Sequence, residues 1–300
     1  MGHNGNIVHR YPGGIITVAG AKKKIPATFS RWWQAPIPKP NPAKCPFHKE
    51  EERKNAFLEA TAPDGEQWFV LDSLFAPEKP HRLIIPDTCW EEEKMRVLGG
   101  PESIRTAVAL ASRQFGREQP EERDKLWGFS VQVGPLAAQN VPHCHYHLYR
   151  PNIFSAEHLR VAIDDNPKAT DLTFHPDLDS DDLCVLKNED FLVVAGGEFT
   201  GQLYILPSDF FWFEDDSTAE SVAIILDILV KLYAEKFRSV EGLAPDYRWE
   251  FEIYGGGINF GIFVPKLNNT GTLEDMATMD RRRGFNLLWS HEETARYLKS

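Results

Sequence analysis

His143-Cys144-His145-Tyr146-His147-Leu148-Tyr149 decides how this chain is read. Its three histidines alternate with bulkier residues, so a strand over 143–149 projects all three rings from one face. Imidazole carries protons near neutral pH and is also a nucleophile. A row of three offers one ring to attack phosphorus and two neighbours to handle protons or charge. Taken alone, the stretch also reads as a metal-binding or His-rich surface strand.

Outward from that strand, the same element order occurs twice. The first pass reads as strands at 68–71 and 82–85, a helix near 101–115, a strand at 127–133 and the histidine strand. An acidic, Asp- and Pro-rich stretch near 164–182 follows. The second pass reads as strands at 190–195 and 202–207, a helix near 218–238, and strands at 248–254 and 257–265. Its helix carries Val222, Ile225, Leu226, Leu229, Leu232 and Tyr233 at helical spacing. Leu83-Ile84-Ile85-Pro86 is echoed by Tyr204-Ile205-Leu206-Pro207. Aligned on Pro151 and Pro265, the histidine positions of the second pass read Gly257, Asn259 and Gly261. The expected organisation is an N-terminal segment 1–65, a first half 66–160, a linker 161–185 and a second half 186–300 without the histidines. The N-terminal segment is rich in Pro, Gly and Lys; Lys39-Pro40-Asn41-Pro42 excludes regular helix there.

The 300 residues suffice for one large or two small domains with a sizeable core, and 42% hydrophobic with 26% charged residues is ordinary for a globular protein. A formal net charge of −11 argues against a nucleic-acid partner, which wants a basic face, but not against a small anion met by local donors. The longest apolar run, 222–232, is short and contains charges, so no membrane span is expected. Met1-Gly2-His3-Asn4 lacks the order of a secretory leader, and four scattered cysteines make no disulfide framework. These features lead us to expect a cytoplasmic protein with reduced thiols.

The triad and its surroundings resemble the histidine-triad (HIT) superfamily, whose signature alternates three histidines with hydrophobic residues. Ala137-Ala138-Gln139-Asn140-Val141-Pro142 is similar to the family's approach to the triad. Asp72, followed by Pro77, Pro80, His81 and Leu83-Ile84-Ile85-Pro86, is similar to an upstream family block. Two such halves, only the first with a triad, resemble the galactose-1-phosphate uridylyltransferase-like branch. The implied fold is α+β: duplicated HIT-like units, each an antiparallel sheet with a covering helix, merged into one protein.

The resemblance implies the site as well. His145 takes the place of the nucleophile that becomes covalently nucleotidylated, and His147 takes the third position, where the transferases commonly carry glutamine and the small hydrolases histidine. Asp72 matches a ribose-binding acid; Gln132, Gln139 and Asn140 match the phosphate-binding positions, with Ala138 in place of a family glycine. Cys45-Pro46-Phe47-His48 resembles the family's Cys-Pro-Phe-Cys element. With Cys89 and His143 it completes a structural zinc set, two ligands being exchanged in type relative to the family. The alternative for Cys45 and Cys89 is a pair of small buried hydrophobes, behind the metal reading. Lys22-Lys23-Lys24, Arg31-Trp32-Trp33 and Arg281-Arg282-Arg283 carry weaker signals that solvated or packing roles also explain. The implied activity is nucleotidyl transfer, as transferase or phosphorylase, on a nucleotide sugar or dinucleotide, in a protein that dimerises as family members often do. His147 leaves a nucleotide hydrolase open, and Ala138 with Asn140 leaves open a non-catalytic nucleotide sensor.

Overall fold

The computed structural model describes residues 7–11, 14–18, 37–48, 53–73, 80–137, 139, 141–150, 181–196, 201–237, 244–265, 285–287 and 291–300. Asn140, Ala138, Pro151, the 22–24 and 281–283 basic runs, Arg31-Trp32-Trp33 and most of the acidic linker lie outside them. Strands β1 (Ile7–Tyr11), β2 (Gly14–Val18) and β13 (Phe285–Leu287) form a small sheet in which β13 runs parallel to β2.

The other ten strands make one sheet. They are β3 (Leu58–Thr61), β4 (Gln67–Asp72), β5 (His81–Pro86), β6 (Trp127–Val133), β7 (Tyr146–Tyr149), β8 (Cys184–Lys187), β9 (Phe191–Ala195), β10 (Leu203–Pro207), β11 (Tyr247–Tyr254) and β12 (Gly257–Pro265). Their order is β3-β4-β5-β7-β6-β11-β12-β10-β9-β8, with every neighbouring pair antiparallel. Read from its two edges, this order is the same connectivity twice, joined where β6 meets β11. The fold class is therefore α+β, as the sequence led us to expect.

Among the described residues the α-helices are α1 (Glu92–Arg96), α2 (Pro101–Arg117), α3 (Pro120–Arg123), α4 (Asp216–Lys236) and α5 (His291–Lys299). In α2, Pro101 starts the helix with φ already set, and Glu102 lies in the positive first turn. Ile104, Ala107, Val108, Leu110, Ala111 and Phe115 make its buried stripe, and Val222, Ile225, Leu226, Leu229 and Tyr233 make that of α4. The two helices pack on each other and share an Arg105–Glu220 ion pair. Between them and one face of the sheet lie Trp127, Phe129, Tyr146, Trp249 and Phe251, all fully buried. Each such side chain contributes about 1.5–3 kcal/mol of hydrophobic stabilisation. Among the described residues no helix is long and apolar enough to cross a membrane.

Two readings of the sequence need correction. The strand expected over 143–149 begins only at Tyr146. A tight turn, in which His143 N–H donates to the Val141 carbonyl at 2.7 Å, takes the preceding residues out of the ladder. The counterparts of the triad in the second half are also displaced by one residue. Leu83 pairs with His147, while the corresponding Tyr204 pairs with Ile262. Ile262 and Phe260 thus occupy the slots of His147 and His145, and Gly261 faces the helix-covered core against Phe251. The prolines misalign because β12 runs on to include Pro265, paired with Tyr247, whereas β7 stops at Tyr149.

Candidate active site and metal centre

Side chains alternate across the sheet, so the face opposite the helices carries His81, Leu83 and Ile85 of β5, Ser130 and Gln132 of β6, His147 and Tyr149 of β7, and Arg248 and Glu250 of β11. The pairings His81↔Tyr149, Ser130↔His147, Glu250↔Ser130 and Arg248↔Gln132 fix these positions. Both halves contribute to this face.

His145 stands just before β7 and is nearly buried. Its Nδ1 donates to the His143 carbonyl at 2.7 Å. Because a carbonyl only accepts, Nδ1 holds the proton and Nε2 of the neutral ring keeps its lone pair. Burial lowers the pKa of His145, against the opposing effect of that carbonyl bond, so the ring is uncharged near neutral pH. The same His143 carbonyl accepts from Gln139 Nε2 at 3.3 Å, and Gln139 Oε1 accepts from the Gly134 N–H at 2.8 Å. Gln139 therefore fixes the loop that aims His145.

His147 lies edge-on to His145, with ring centroids 4.9 Å apart, and its Nδ1 shares a 3.0 Å hydrogen bond with His81 Nε2. Burial, then the charges of His145, His81 and Arg248, holds its pKa well below the usual value. His81 in turn stacks on Tyr149, whose hydroxyl donates to Glu250 Oε1 at 2.5 Å. Glu250 Oε2 accepts from Arg248 Nη2. The result is a chain of contacts from His145 to Arg248.

Loop 134–145 is anchored from behind. Gly134 has φ +89°, and a Cβ there would come within 2.1 Å of the Asp246 carboxyl carbon. Asp246 is fully buried and receives a 2.7 Å hydrogen bond from Arg96, which also reaches the Ala244 carbonyl. Only glycine lets the turn approach this ion pair so closely.

The third part of the site is a cluster of Cys45, His48, Cys89 and His143, whose ligand atoms all lie within 4.8 Å of one another. Cys45 precedes and His48 ends the short 3-10 turn Pro46–His48, and Cys89 follows β5. His143 Nδ1 is 3.5 Å from Cys45 Sγ and 3.2 Å from Cys89 Sγ, and His48 Nε2 is 3.5 Å from Cys89 Sγ. Tetrahedral zinc with Zn–S of about 2.3 Å and Zn–N of about 2.0 Å sets S···N edges of about 3.5 Å. The donors thus fit a tetrahedral ion in number, type and spacing. His143 Nε2 donates to the Pro86 carbonyl at 3.0 Å, which leaves Nδ1 free of a proton and turned to the sulfurs. Burial pushes His143 down to about 3, and burial with the adjoining Cys45 thiol pushes Cys89 up to about 12. The Cys89 thiol thus resists ionisation until a cation neutralises it.

Of the residues singled out from the sequence, the structure thus brings His145, His147 and Gln132 to one face, and gathers the four sulfur and imidazole ligands beside them. Asp72 goes elsewhere: it pairs with Arg82 in the ladder and as an ion pair at 2.5 Å, and Arg82 also holds Glu118 beyond α2, on the helix-covered face. His81, Tyr149, Arg248 and Glu250 were not singled out as site residues. The signal for His81 is its alternation with Leu83 and Ile85 on the strand beside the triad; Arg248 and Glu250 are visible only once β11 is placed against β6.

No family model and no curated protein matches this sequence. Solved structures do. An ADP-glucose phosphorylase from Arabidopsis thaliana, solved with ADP-glucose bound, superposes with a TM-score of 0.66 over 98% of each chain at 14% identity. A GalT-like protein from the same plant gives 0.58 at 16% identity, covering 89% of this chain and 94% of its own. A uridylyltransferase gives 0.58 at 15% identity over 97% of each chain. At such identities the likeness is one of fold, and it extends over nearly the whole chain. The chain therefore shares the fold of these three structures.

Proposed function

We propose that this protein transfers a nucleoside monophosphate, as a transferase or phosphorylase on a nucleotide sugar or dinucleotide, through a covalent nucleotidyl-His145 intermediate. The observation that carries this reading is the 2.7 Å bond from His145 Nδ1 to the His143 carbonyl, because it leaves a lone pair at Nε2 of an uncharged ring. In the first step Nε2 attacks the α-phosphorus; the P–N bond forms as the P–O bond to the departing phosphate breaks. An oxygen of inorganic phosphate or a sugar phosphate then attacks the same phosphorus, and the electron pair of the P–N bond returns to Nε2. Gln132 and Asn140 offer amides to the phosphoryl oxygens. His147 donates from Nε2 when its Nδ1 accepts from His81. Support comes from the fold shared with an ADP-glucose phosphorylase and a uridylyltransferase.

In this reading Cys45, His48, Cys89 and His143 hold zinc. When bound, the ion supplies structural cross-linking, tying the 45–48 turn to the end of β5 and to the residue whose carbonyl orients His145. A cytoplasmic homodimer completes the reading, and light scattering checks the dimer.

A hydrolase is the second reading, favoured by the His81–His147 pair, which can pass a proton to a leaving group. One experiment covers both. Protein is incubated with ADP-glucose or UDP-glucose and weighed by denaturing mass spectrometry. The expected result is one nucleoside monophosphate added to the wild type and none to His145→Asn. Nucleoside diphosphate formed only when inorganic phosphate is present identifies a phosphorylase; monophosphate released in its absence identifies a hydrolase. Neither adduct nor turnover with any such substrate would overturn the enzymatic reading, and an adduct persisting in His145→Asn would move the nucleophile elsewhere.

A further inference from the structure

The triad face has a cation that comes from the other half of the chain. Arg248 on β11 lies directly beside Gln132 in the ladder, one strand further from β7, on the face that carries His147. Its charge acts on both His147 and Tyr149. Its Nη2 is held by Glu250, which is fixed in turn by the Tyr149 hydroxyl, while its buried Nε makes no hydrogen bond. The Arg248 side chain is nevertheless 39% exposed, against 18% for Glu250, so the fork is anchored at one end and open at the other. Arg53, another cation near this face, lies over Phe69 with its Nη2 on the Asp87 carbonyl.

An exchange between nucleotidyl-His145 and a phosphate brings in an anion that needs a cationic partner. A pre-oriented guanidinium suits it, because its planar donors match phosphoryl oxygens. We propose that Arg248, carried by the half that lacks the triad, binds the phosphate that departs from, or attacks, the nucleotidyl group on His145. The assignment rests on the reading of His145 above and adds the acceptor's chemistry: a phosphate-bearing molecule rather than water. Glu250 is the positioning residue that keeps the guanidinium turned to that phosphate.

The test uses the full chain. Nucleotidyl-His145 is formed with ADP-glucose, freed of nucleotide, and discharged with increasing inorganic phosphate. Loss of a charge-assisted contact corresponds to a rise of about 10–100-fold in half-saturating phosphate for Arg248→Gln. Arg248→Lys, which keeps the charge without the fork, is expected between the two and carries the test should the glutamine variant fail to fold. An unchanged phosphate dependence in folded variants would overturn the proposal. Calorimetric titration with inorganic phosphate alone separates it from the parent reading. Phosphate binding by the wild type that weakens in the variant upholds the anion site even if no adduct ever forms. No binding by the wild type, or binding that Arg248 does not affect, removes it.

Discussion

Between β6 and β7 the chain takes residues 134–145, whereas between β11 and β12 it turns through Gly255-Gly256 alone. The strands on either side match in order and direction, so the two halves differ most in this one connection. The long connection brings a carbonyl, that of His143, to the ring of His145, and sends the His143 ring the other way toward Cys45 and Cys89. The short one leaves Gly257 and Ile258 in the ladder opposite Tyr254 and Ile253. In the slots matching His145 and His147 it leaves Phe260 and Ile262, packed with Leu183, Val194 and Tyr204. A histidine is thus only part of what the His145 position consists of; the other part is backbone that has left the sheet. The second half keeps a share in the site through Arg248 and Glu250, because β11 lies against β6.

The largest effect is expected from a methyl group at the hinge of the long connection. Gly134→Ala places a Cβ on the Asp246 carboxylate and strains a left-handed backbone, forcing the buried Arg96–Asp246 pair apart. Breaking such a pair costs about 3–5 kcal/mol. Chemical denaturation is expected to show that loss, together with a His145 that no longer takes up nucleotide. Gly255→Ala, at φ +57° with open space around it, is expected to cost only about 1–2 kcal/mol. Equal losses at the two glycines would mean that the connections do not differ in the way described.

Phe260→His tests the comparison from the other side, by putting an imidazole into the slot that matches His145. No loop carbonyl is set to orient it, and burying a poorly bonded polar ring costs about 1–3 kcal/mol. We expect lower stability and no nucleotidyl adduct at residue 260. An adduct there in a variant that also lacks His145 would show that the slot alone is sufficient.

Much of this was legible in the sequence, because its signals are local. The strand and helix readings placed β6, β11, α2 and α4, a helical stripe marking the last, and the family resemblance named the four sulfur and imidazole residues that the fold gathers. What escaped depends on register and on bonds between distant segments. Proline positions placed Gly261 opposite His147, yet strand pairing puts Ile262 there, and a one-residue slip exchanges the faces of the sheet. Asp72 has the composition of a ligand-binding turn residue, but its pairing with Arg82 sends it to the helix side. The turn at His143 depends on the Pro86 carbonyl, the two cysteines and Gln139, partners that alternation cannot reveal.

The smallest expected effect isolates the electrostatic cost of the half that carries the triad. His145 and His147 are both held below their ordinary value of 6.5, first by burial, so the folded protein keeps them neutral while the unfolded chain protonates them. Above pH 6.5 neither state binds these protons and the two rings leave stability unchanged with pH. As pH falls below 6.5 toward the lowered values, the unfolded state gains protons that the folded state refuses, and stability drops. Each ring contributes up to about 1.4 kcal/mol per pH unit across that window. His147→Gln removes one of the two, so its stability, measured by urea unfolding from pH 6.5 downward, should fall less steeply by about one proton. Ile262→Gln, at the matching slot of the second half, removes no titrating group and should leave the slope as it is. A His147→Gln slope equal to that of the wild type would mean that His147 is charged in the folded protein, and the neutral donor assigned to it in nucleotidyl transfer would then be the wrong species.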